Sequence, residues 1–557
     1  MQKLIIGRNT AIMVACIAVF LTALDQTVVV TALPQMIVDL QIPISQLDRA
    51  AWIISGYLLG YVIAMPLMGR VSDLYGRRRV FLICLGIFAF GSLFCGLAPI
   101  LGNTIDIGFL HNLGLNVDSQ GLIWLVAARF IQAAGGGAVV PVAMAVAGDF
   151  YGWQRRAFML GLIGMVTEAG GVLGPLYGSL IVQSWGWQYI FYLNLPIVAL
   201  LLILVVRFIP SANTRTEDQR PRERIDLPGA LLLGASLICL SLGLSQEAAQ
   251  ITPNTPAPGA PPIQNNPWLI VAALILLGLF IALELYYERH REWPLVDLSL
   301  FKRSLFSATS LVSLLVGAAL IIAMADIPIF IATVLNRSAI DSGLALLRLT
   351  AMIPVGAVIG GWLCTRITCR WTALLGLVPV ALGFWLMHLW PLEVDWTQIT
   401  VSTMIAGLGF GLVIAPISTT AINAASDRQI GMASSVVTVL RMIGMILGLA
   451  ALTSWGLGRF RALASGFKAP VGIAAFSTQY NNLYSRYLVV SAHEVYTAIF
   501  LAAGVLCVIA LVPAIFLEGR KPSDYLVRSS HDDRHAHRHK DSEIESEAST
   551  THGQWEK

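Results

Sequence analysis

The chain has 557 residues, 56% of them hydrophobic and only 12% charged, with a formal net charge of +4. Soluble domains carry about 25% charged residues, so this composition excludes a soluble globular protein. The basic residues are scattered over many short loops, which excludes the one-sided patch that nucleic-acid binding requires.

Repeated apolar runs long enough to cross a hydrocarbon core of about 30 Å predict an all-α polytopic membrane protein. Fourteen spans are expected, at 10–32, 51–69, 79–99, 121–148, 157–182, 188–208, 227–246, 267–287, 305–334, 342–366, 371–390, 397–424, 430–456 and 493–517. The first is too long for the apolar core of a signal peptide, and no small-residue cleavage site ends it. With the N-terminus taken as cytoplasmic, 20 of the 36 Lys and Arg fall in or beside cytoplasmic loops and seven more in the C-terminal tail. Only six fall on the other side, so both termini are expected in the cytoplasm of a cell-membrane protein. The seven cysteines lie in or beside apolar segments and read as small packing residues.

Span 1 carries Asp25 within the run Leu24 to Pro34. A carboxylate at this depth costs on the order of 2.5–3.5 kcal/mol to insert. Such a group is expected to face a water-filled cavity and to bind and release protons.

Span 2 ends in Gly69-Arg70-Val71-Ser72-Asp73-Leu74-Tyr75-Gly76-Arg77-Arg78-Arg79. Gly69 allows close helix approach and Gly76 a sharp turn, while Asp73 can accept from Arg77 or from a helix N-terminus. Gly69, Asp73, Gly76, Arg77 and Arg78 are therefore expected to form a cytoplasmic gate.

Span 4 holds Arg129, in Arg129-Phe130-Ile131-Gln132-Ala133-Ala134-Gly135-Gly136, and two readings stand for it: a partner of a buried acid, or a tie to backbone carbonyls. At about 1.5 Å per helical residue, Asp25 lies about 22 Å from the inner face. Arg129 lies about 12 Å in from the outer face, so the two fall within a few ångström in depth.

Span 5 contains Glu168 and then Gly170-Gly171-Val172-Leu173-Gly174-Pro175-Leu176-Tyr177-Gly178-Ser179. Gly170, Gly174 and Gly178 leave one helix face as nearly bare backbone, open to close packing. Pro175 removes a hydrogen bond and bends the helix. This bent stripe is expected at the interface between two halves, where a rocking motion pivots. Glu168 lies about 200° from Gly170 around the helix and is expected to face the cavity, either coupling protons or binding cations. The alternative is a silent pair with another buried polar group. Span 6 opens with Trp185-Gly186-Trp187-Gln188-Tyr189-Ile190-Phe191-Tyr192-Leu193-Asn194-Leu195-Pro196.

The spans group as six, two and six, which gives residues 1–210 and 304–520 as six-helix bundles and 211–303 as a linker with two additional spans. Those two are joined by a Pro-rich stretch at 252–262. Asp326 and Arg348 fall toward the outer ends of spans 9 and 10 and are expected to pair. Arg441 lies near mid-depth in span 13, without an assigned partner. The external loop 100–120 has the length of a small cap. Segment 457–492 mixes Arg and Lys with Phe and Tyr and is expected to lie along the outer surface as an amphipathic helix. The tail, 521–557, is polar and His-rich, and a disordered solvated tail is expected there rather than a metal site.

These motifs resemble those of the major facilitator superfamily, and specifically its fourteen-span drug:proton antiporters. The loop Gly69 to Arg79 is similar to that superfamily's motif A, the run at Arg129 to its motif B, and Gly170 to Ser179 to its antiporter motif C. The Trp185 to Pro196 run is similar to one found in the fourteen-span branch. The resemblance implies two six-helix bundles with two linker helices. It also implies spans 1 and 4 facing each other, so that Asp25, Arg129 and Glu168 couple protons. The implied activity is proton-driven export of amphipathic or cationic drugs by alternating access. Two alternatives stay open: export of a specific endogenous compound such as a lipid, siderophore or self-made antibiotic, and a transporter-like sensor that moves nothing. No metal cluster, nucleophile elbow or phosphate loop appears in the sequence, so neither an enzyme nor a cofactor is expected. The expected partners are the small-molecule substrate, protons and the lipid bilayer, bound by a monomer.

Overall fold

The computed structural model describes residues 2–42, 50–105, 119–150, 153–209, 226–244, 267–290, 298–424, 430–467 and 478–517. Fifteen α-helices occur among them: α1 Gln2–Asp39, α2 Trp52–Tyr75, α3 Arg77–Thr104, α4 Gln120–Phe150, α5 Trp153–Ser184, α6 Gln188–Tyr192, α7 Asn194–Phe208, α8 Leu227–Leu244, α9 Pro267–Arg289, α10 Ser304–Thr333, α11 Ala339–Arg366, α12 Cys369–His388, α13 Trp396–Ala424, α14 Ile430–Ala464 and α15 Thr478–Ala514. An apolar run in lipid can satisfy its backbone only within itself, so the long apolar segments become helices. Thirteen stretches are long and apolar enough to span a membrane, with α6 and α7 together forming one, and the apolar part of α2, Trp52–Met65, is shorter.

The packing repeats itself. α1 packs on α5, α2 on α4, α3 on α4 and α7, and α1 on α7. In the second half α10 packs on α14, α11 on α13, α12 on α13 and α15, and α10 on α15. The two halves meet through α5 on α11 and through α2 on α14, which exchange under the same repeat. This is a pair of six-helix bundles related by a pseudo-twofold axis. α8 packs on both α2 and α14, so it lies across one seam, and α9 packs chiefly on α8.

The glycine stripe of α5 packs on α1 of its own bundle rather than on the other half. A Cβ on Gly170, Gly174 or Gly178 would lie 2.7, 2.9 and 2.5 Å from the carbonyl oxygens of Phe20, Leu24 and Val28. Spacing identifies a bare face but not what covers it. The seam uses the neighbouring face of α5, where Thr350 Oγ1 of α11 donates to Val172 O at 3.2 Å and Gly343 sits against Ser179. The second half repeats the stripe, with Gly444 of α14 against Leu314 O and Gly448 against Ala318.

Pro175 has no N–H for the carbonyl of Gly171, four residues earlier. Thr27 Oγ1 of α1 donates to that oxygen at 3.1 Å, and Thr31 Oγ1 donates to Pro175 O at 3.3 Å. The bend in α5 is thus stitched to α1.

Segment 457–492 does not lie flat where it is described. α14 continues to Ala464 and α15 begins at Thr478, with 35 and 37 residues respectively. At about 1.5 Å per residue both exceed a core of about 30 Å by more than 20 Å. Arg459 pairs with Glu494 at 3.1 Å and Tyr487 Oη donates to Leu463 O at 2.9 Å, so the two helices project as a pair. Lys468, the Pro-rich 252–262, most of the loop 100–120 and the tail 521–557 lie outside the described residues.

Candidate functional site

Asp25 of α1 sits where five other helices converge. Arg129 Nη1 donates to its Oδ2 at 2.6 Å. Its Oδ1 accepts from Gln132 Nε2 at 3.0 Å and from Asn194 Nδ2 at 2.8 Å. Arg129 and Gln132 are three residues apart on α4, hence on one face, and Arg129 Nη1 also donates to Gln132 Oε1 at 2.6 Å. Ser92 Oγ of α3 accepts from both Gln132 Nε2 and Asn194 Nδ2 at 3.0 Å and donates to Phe191 O at 3.0 Å. The ring of Tyr57 on α2 lies 4.0 Å from the Arg129 guanidinium, a cation–π contact.

Asp25, Arg129, Gln132 and Ser92 are all at 0% exposure. The expected water-filled cavity around Asp25 is therefore absent: its carboxylate is enclosed and held by donors from α4 and α7. The physical reason is that one guanidinium and two amides supply the hydrogen bonds that water would otherwise make. Such an arrangement suits an ionised carboxylate beside an ionised guanidinium, and a change of charge on either member disturbs every helix in the cluster.

The remaining expected residues are dispersed. Gly76 has φ +90 and links α2 to α3, a conformation that favours glycine. Arg77 Nη1 donates to Ser72 Oγ at 2.6 Å, and Arg78 is half-exposed. The side chains of Asp73 and Glu168, and any Cβ environment at Gly69, lie outside the described residues. Asp326 is buried, but among the described residues no ion pair joins it to Arg348. Arg348 instead places its guanidinium 4.7 Å from the Trp396 ring, because a helical side chain points toward its N-terminus and so away from mid-membrane. Arg441 is half-exposed, and its carbonyl packs against Gly317.

Gln132, Asn194, Ser92 and Tyr57 were not singled out from the sequence. Gln132 and Asn194 do stand inside the quoted runs, and an amide in an apolar span at the depth of Asp25 and Arg129 is the signal that points to them. Ser92 and Tyr57 carry no such signal, since both residue types are common in membrane helices. Trp187 is a further case: its Nε1 donates to Asp39 Oδ2 at 3.0 Å, tying the far end of α1 to the turn before α6, where Gly186 has φ +98.

One face of the molecule carries the start of α1 and is called the near face; the opposite one is the far face. From Leu21 to Leu33 every residue of α1 is buried except Gln26, which is half-buried. Toward the near face Met13 and Ile17 are 58% and 40% exposed. α10 follows the same rule: 316–328 are buried, while Leu311 is 48% exposed. Both helices have neighbours on several sides, α1 packing on α2, α4, α5, α7, α10 and α11. The near ends of these two helices are thus less covered than their middles: among their exposed residues Met13, Ile17 and Leu311 are apolar, and Asn9 and Ser304 are polar.

The Major Facilitator Superfamily profile matches residues 15–449. A triacylglyceride transporter of Mycobacterium tuberculosis is 35% identical over 536 residues, covering 92% of this chain and 95% of that protein. A probable triacylglyceride transporter of Mycobacterium leprae is 32% identical, covering 92% and 97%. Among solved structures, a bacterial homologue of the human lysosomal transporter Spinster aligns with TM-score 0.60 at 16% identity, over 91% of this chain and 96% of that one. A D-xylose–proton symporter aligns with TM-score 0.56 at 13% identity, over 92% and 98%. With this packing and these matches, the chain belongs to the major facilitator superfamily and is a multi-pass membrane transporter rather than an enzyme.

Proposed function

We propose that the protein exports a neutral lipid of the triacylglyceride class by alternating access, driven by proton entry. The observation that carries this reading is the exposure of Met13, Ile17 and Leu311 at the near ends of α1 and α10, which we read as a largely apolar wall of an opening on the near face. Burying acyl chains there gains about 25 cal/mol per Å² and needs no counter-charge. A cationic drug finds no free carboxylate at Asp25, which is enclosed and already engaged by Arg129. The relatives named as triacylglyceride transporters support the same choice. Lipid export therefore replaces drug antiport as the preferred reading.

In this reading residues 1–210 and 304–520 rock about the seams, with the linker pair 211–303 between them. The near face is cytoplasmic, as the excess of Lys and Arg on that side supports. Protonation of Asp25 removes the charge that Arg129, Gln132 and Asn194 hold, which loosens α1 from α4 and α7. Each proton entering gains about 2.3 kcal/mol per 100 mV. Glu168, if it lines the opening, is a second candidate for the driving proton.

The test is transfer of a fluorescent triacylglyceride from proteoliposomes to an external acceptor under an imposed pH gradient. Gradient-accelerated transfer is expected, with loss of that acceleration in Asp25→Asn. Wild-type rates in Asp25→Asn would remove Asp25 from coupling. Efflux of ethidium without lipid transfer would return the protein to the drug exporters.

A further inference from the structure

We propose that Arg337 and Arg348 form a phosphate-binding site around Trp396 at the far face. The two guanidinium carbons lie 4.8 and 4.7 Å from the centroid of the same indole, so they are at most about 9.5 Å apart. Cation–π attraction favours each contact, yet two like charges on one ring repel each other. Neither arginine joins an ion pair among the described residues, where the pairs are Asp25–Arg129, Lys302–Glu288 and Arg459–Glu494. Arg348 Nη1 is moreover buried without a hydrogen-bond partner. A buried donor on a cation is costly to leave unmade, and an anion between the two guanidinia would satisfy it while cancelling their repulsion.

The nearby acids do not fill that role. Asp341 Oδ2 accepts from Ser338 Oγ at 2.9 Å and caps its own helix. Glu393 and Asp395 are exposed and pair with neither arginine.

Position identifies the class of anion. Trp396 begins α13, and Arg337 stands two residues before α11, so both mark the far boundary of spanning helices. Trp is favoured at the level of lipid headgroups. Arg348, nine residues into α11, reaches back toward that level with its head while its stem stays in the apolar layer. Guanidinium forks match phosphate oxygens, and charge-assisted N–H···O bonds of about 2.7–2.9 Å let one phosphate at the edge of the shared indole engage both arginines. Such a phosphate belongs to an anionic phospholipid of that leaflet or to a free phosphate in solution.

The experiment is native mass spectrometry of the detergent-purified protein titrated with phosphatidylglycerol, phosphatidylcholine or inorganic phosphate. It compares wild type with Arg337→Gln, Arg348→Gln and the double variant. Arg459→Gln, at an exposed far-face ion pair, serves as the control. Wild type and the control are expected to retain phosphatidylglycerol at least fivefold better than phosphatidylcholine, and the double variant to lose that preference. Arg337→Gln alters only a half-buried residue outside the helices and is expected to lose at least half of it, so the test survives if Arg348 variants misfold. Displacement of phosphatidylglycerol by millimolar inorganic phosphate supports the site and assigns its ligand to solution; resistance to displacement supports the site and assigns it to the headgroup. Equal retention of the two lipids by wild type, or an unchanged preference in Arg337→Gln and in any folded double variant, overturns the proposal.

Discussion

Asn194 and Asp25 stand 169 residues apart and share a 2.8 Å hydrogen bond, Asn194 Nδ2 donating to Asp25 Oδ1. Asn194 is the first residue of α7, so the break between α6 and α7 aims an amide at the acid of α1. A hydrogen bond to a charged group contributes about 1.5–3 kcal/mol. Asn194→Leu is expected to lower stability by that amount, read as a fall in the thermal unfolding midpoint in detergent. Asn194→Asp is expected to be worse, since it sets a second carboxylate against the first. If Asn194→Asp is as stable as wild type at neutral pH, the amide does not serve Asp25.

The Asp25–Arg129 pair allows a sharper test. Both side chains are at 0% exposure, and removing one partner of a buried pair costs about 3–5 kcal/mol, because the other charge is left uncompensated. Arg129→Met alone should therefore destabilise strongly. The double variant Asp25→Leu with Arg129→Met should recover part of the loss, the remainder being the acceptor that Gln132 and Asn194 lose, while proton-driven transport stays absent. Additive losses in the double variant would show that the residues are held by something other than each other.

How much of this was legible follows from what each residue must overcome in an apolar span. Asp25 and Arg129 stand out because ionised groups are costly there, and depth arithmetic brought them to one level. Gln132 and Asn194 are cheaper to bury and stood out less, although both fall inside recognisable runs. The stripe Gly170, Gly174, Gly178 was legible as a bare face, but its partner was not, since spacing carries no information about a neighbouring helix. α14 and α15 were read too short because their far ends carry Arg459, Arg461, Tyr480 and Tyr484 and fail any test for apolar runs. The Asp326–Arg348 pairing failed because proximity in depth says nothing about which way an arginine points.

Thr27 and Pro175 predict a compensating pair. The carbonyl of Gly171 loses its helical donor to Pro175 and takes Thr27 Oγ1 instead, at 3.1 Å. Thr27→Val keeps the shape of the side chain but removes the hydroxyl, at an expected cost of about 1–3 kcal/mol for the orphaned carbonyl. Pro175→Ala returns an N–H to Gly171, so Thr27→Val in that background is expected to cost less than half as much. A double-mutant cycle on unfolding midpoints checks this. Equal costs in both backgrounds would mean that the hydroxyl does not serve Gly171.

Gly343 and Ser179 offer control of the transport cycle itself. A Cβ on Gly343 would lie 2.6 Å from the Cβ of Ser179, which joins α11 to α5 at the far end of their seam. Disulfides need Cβ atoms about 3.5–4.5 Å apart, so a cysteine pair here requires the helices to give by about an ångström. Of the seven free cysteines Cys16 and Cys239 are half-buried and the other five buried, which calls for a background in which Cys16 and Cys239 are Ser. In that background Ser179→Cys with Gly343→Cys is expected to cross-link under mild oxidation and to hold the far face shut. Transport should then stop and return on reduction. A reporter cysteine in place of Met13, which is 58% exposed at the near end of α1, should remain fully reactive while the cross-link stands. Both results together distinguish a locked state from a damaged protein, because damage would not reverse with reductant. If the cross-linked protein transports at the uncross-linked rate, α5 and α11 do not part at this end, and the seam between them is a fixed contact rather than a gate.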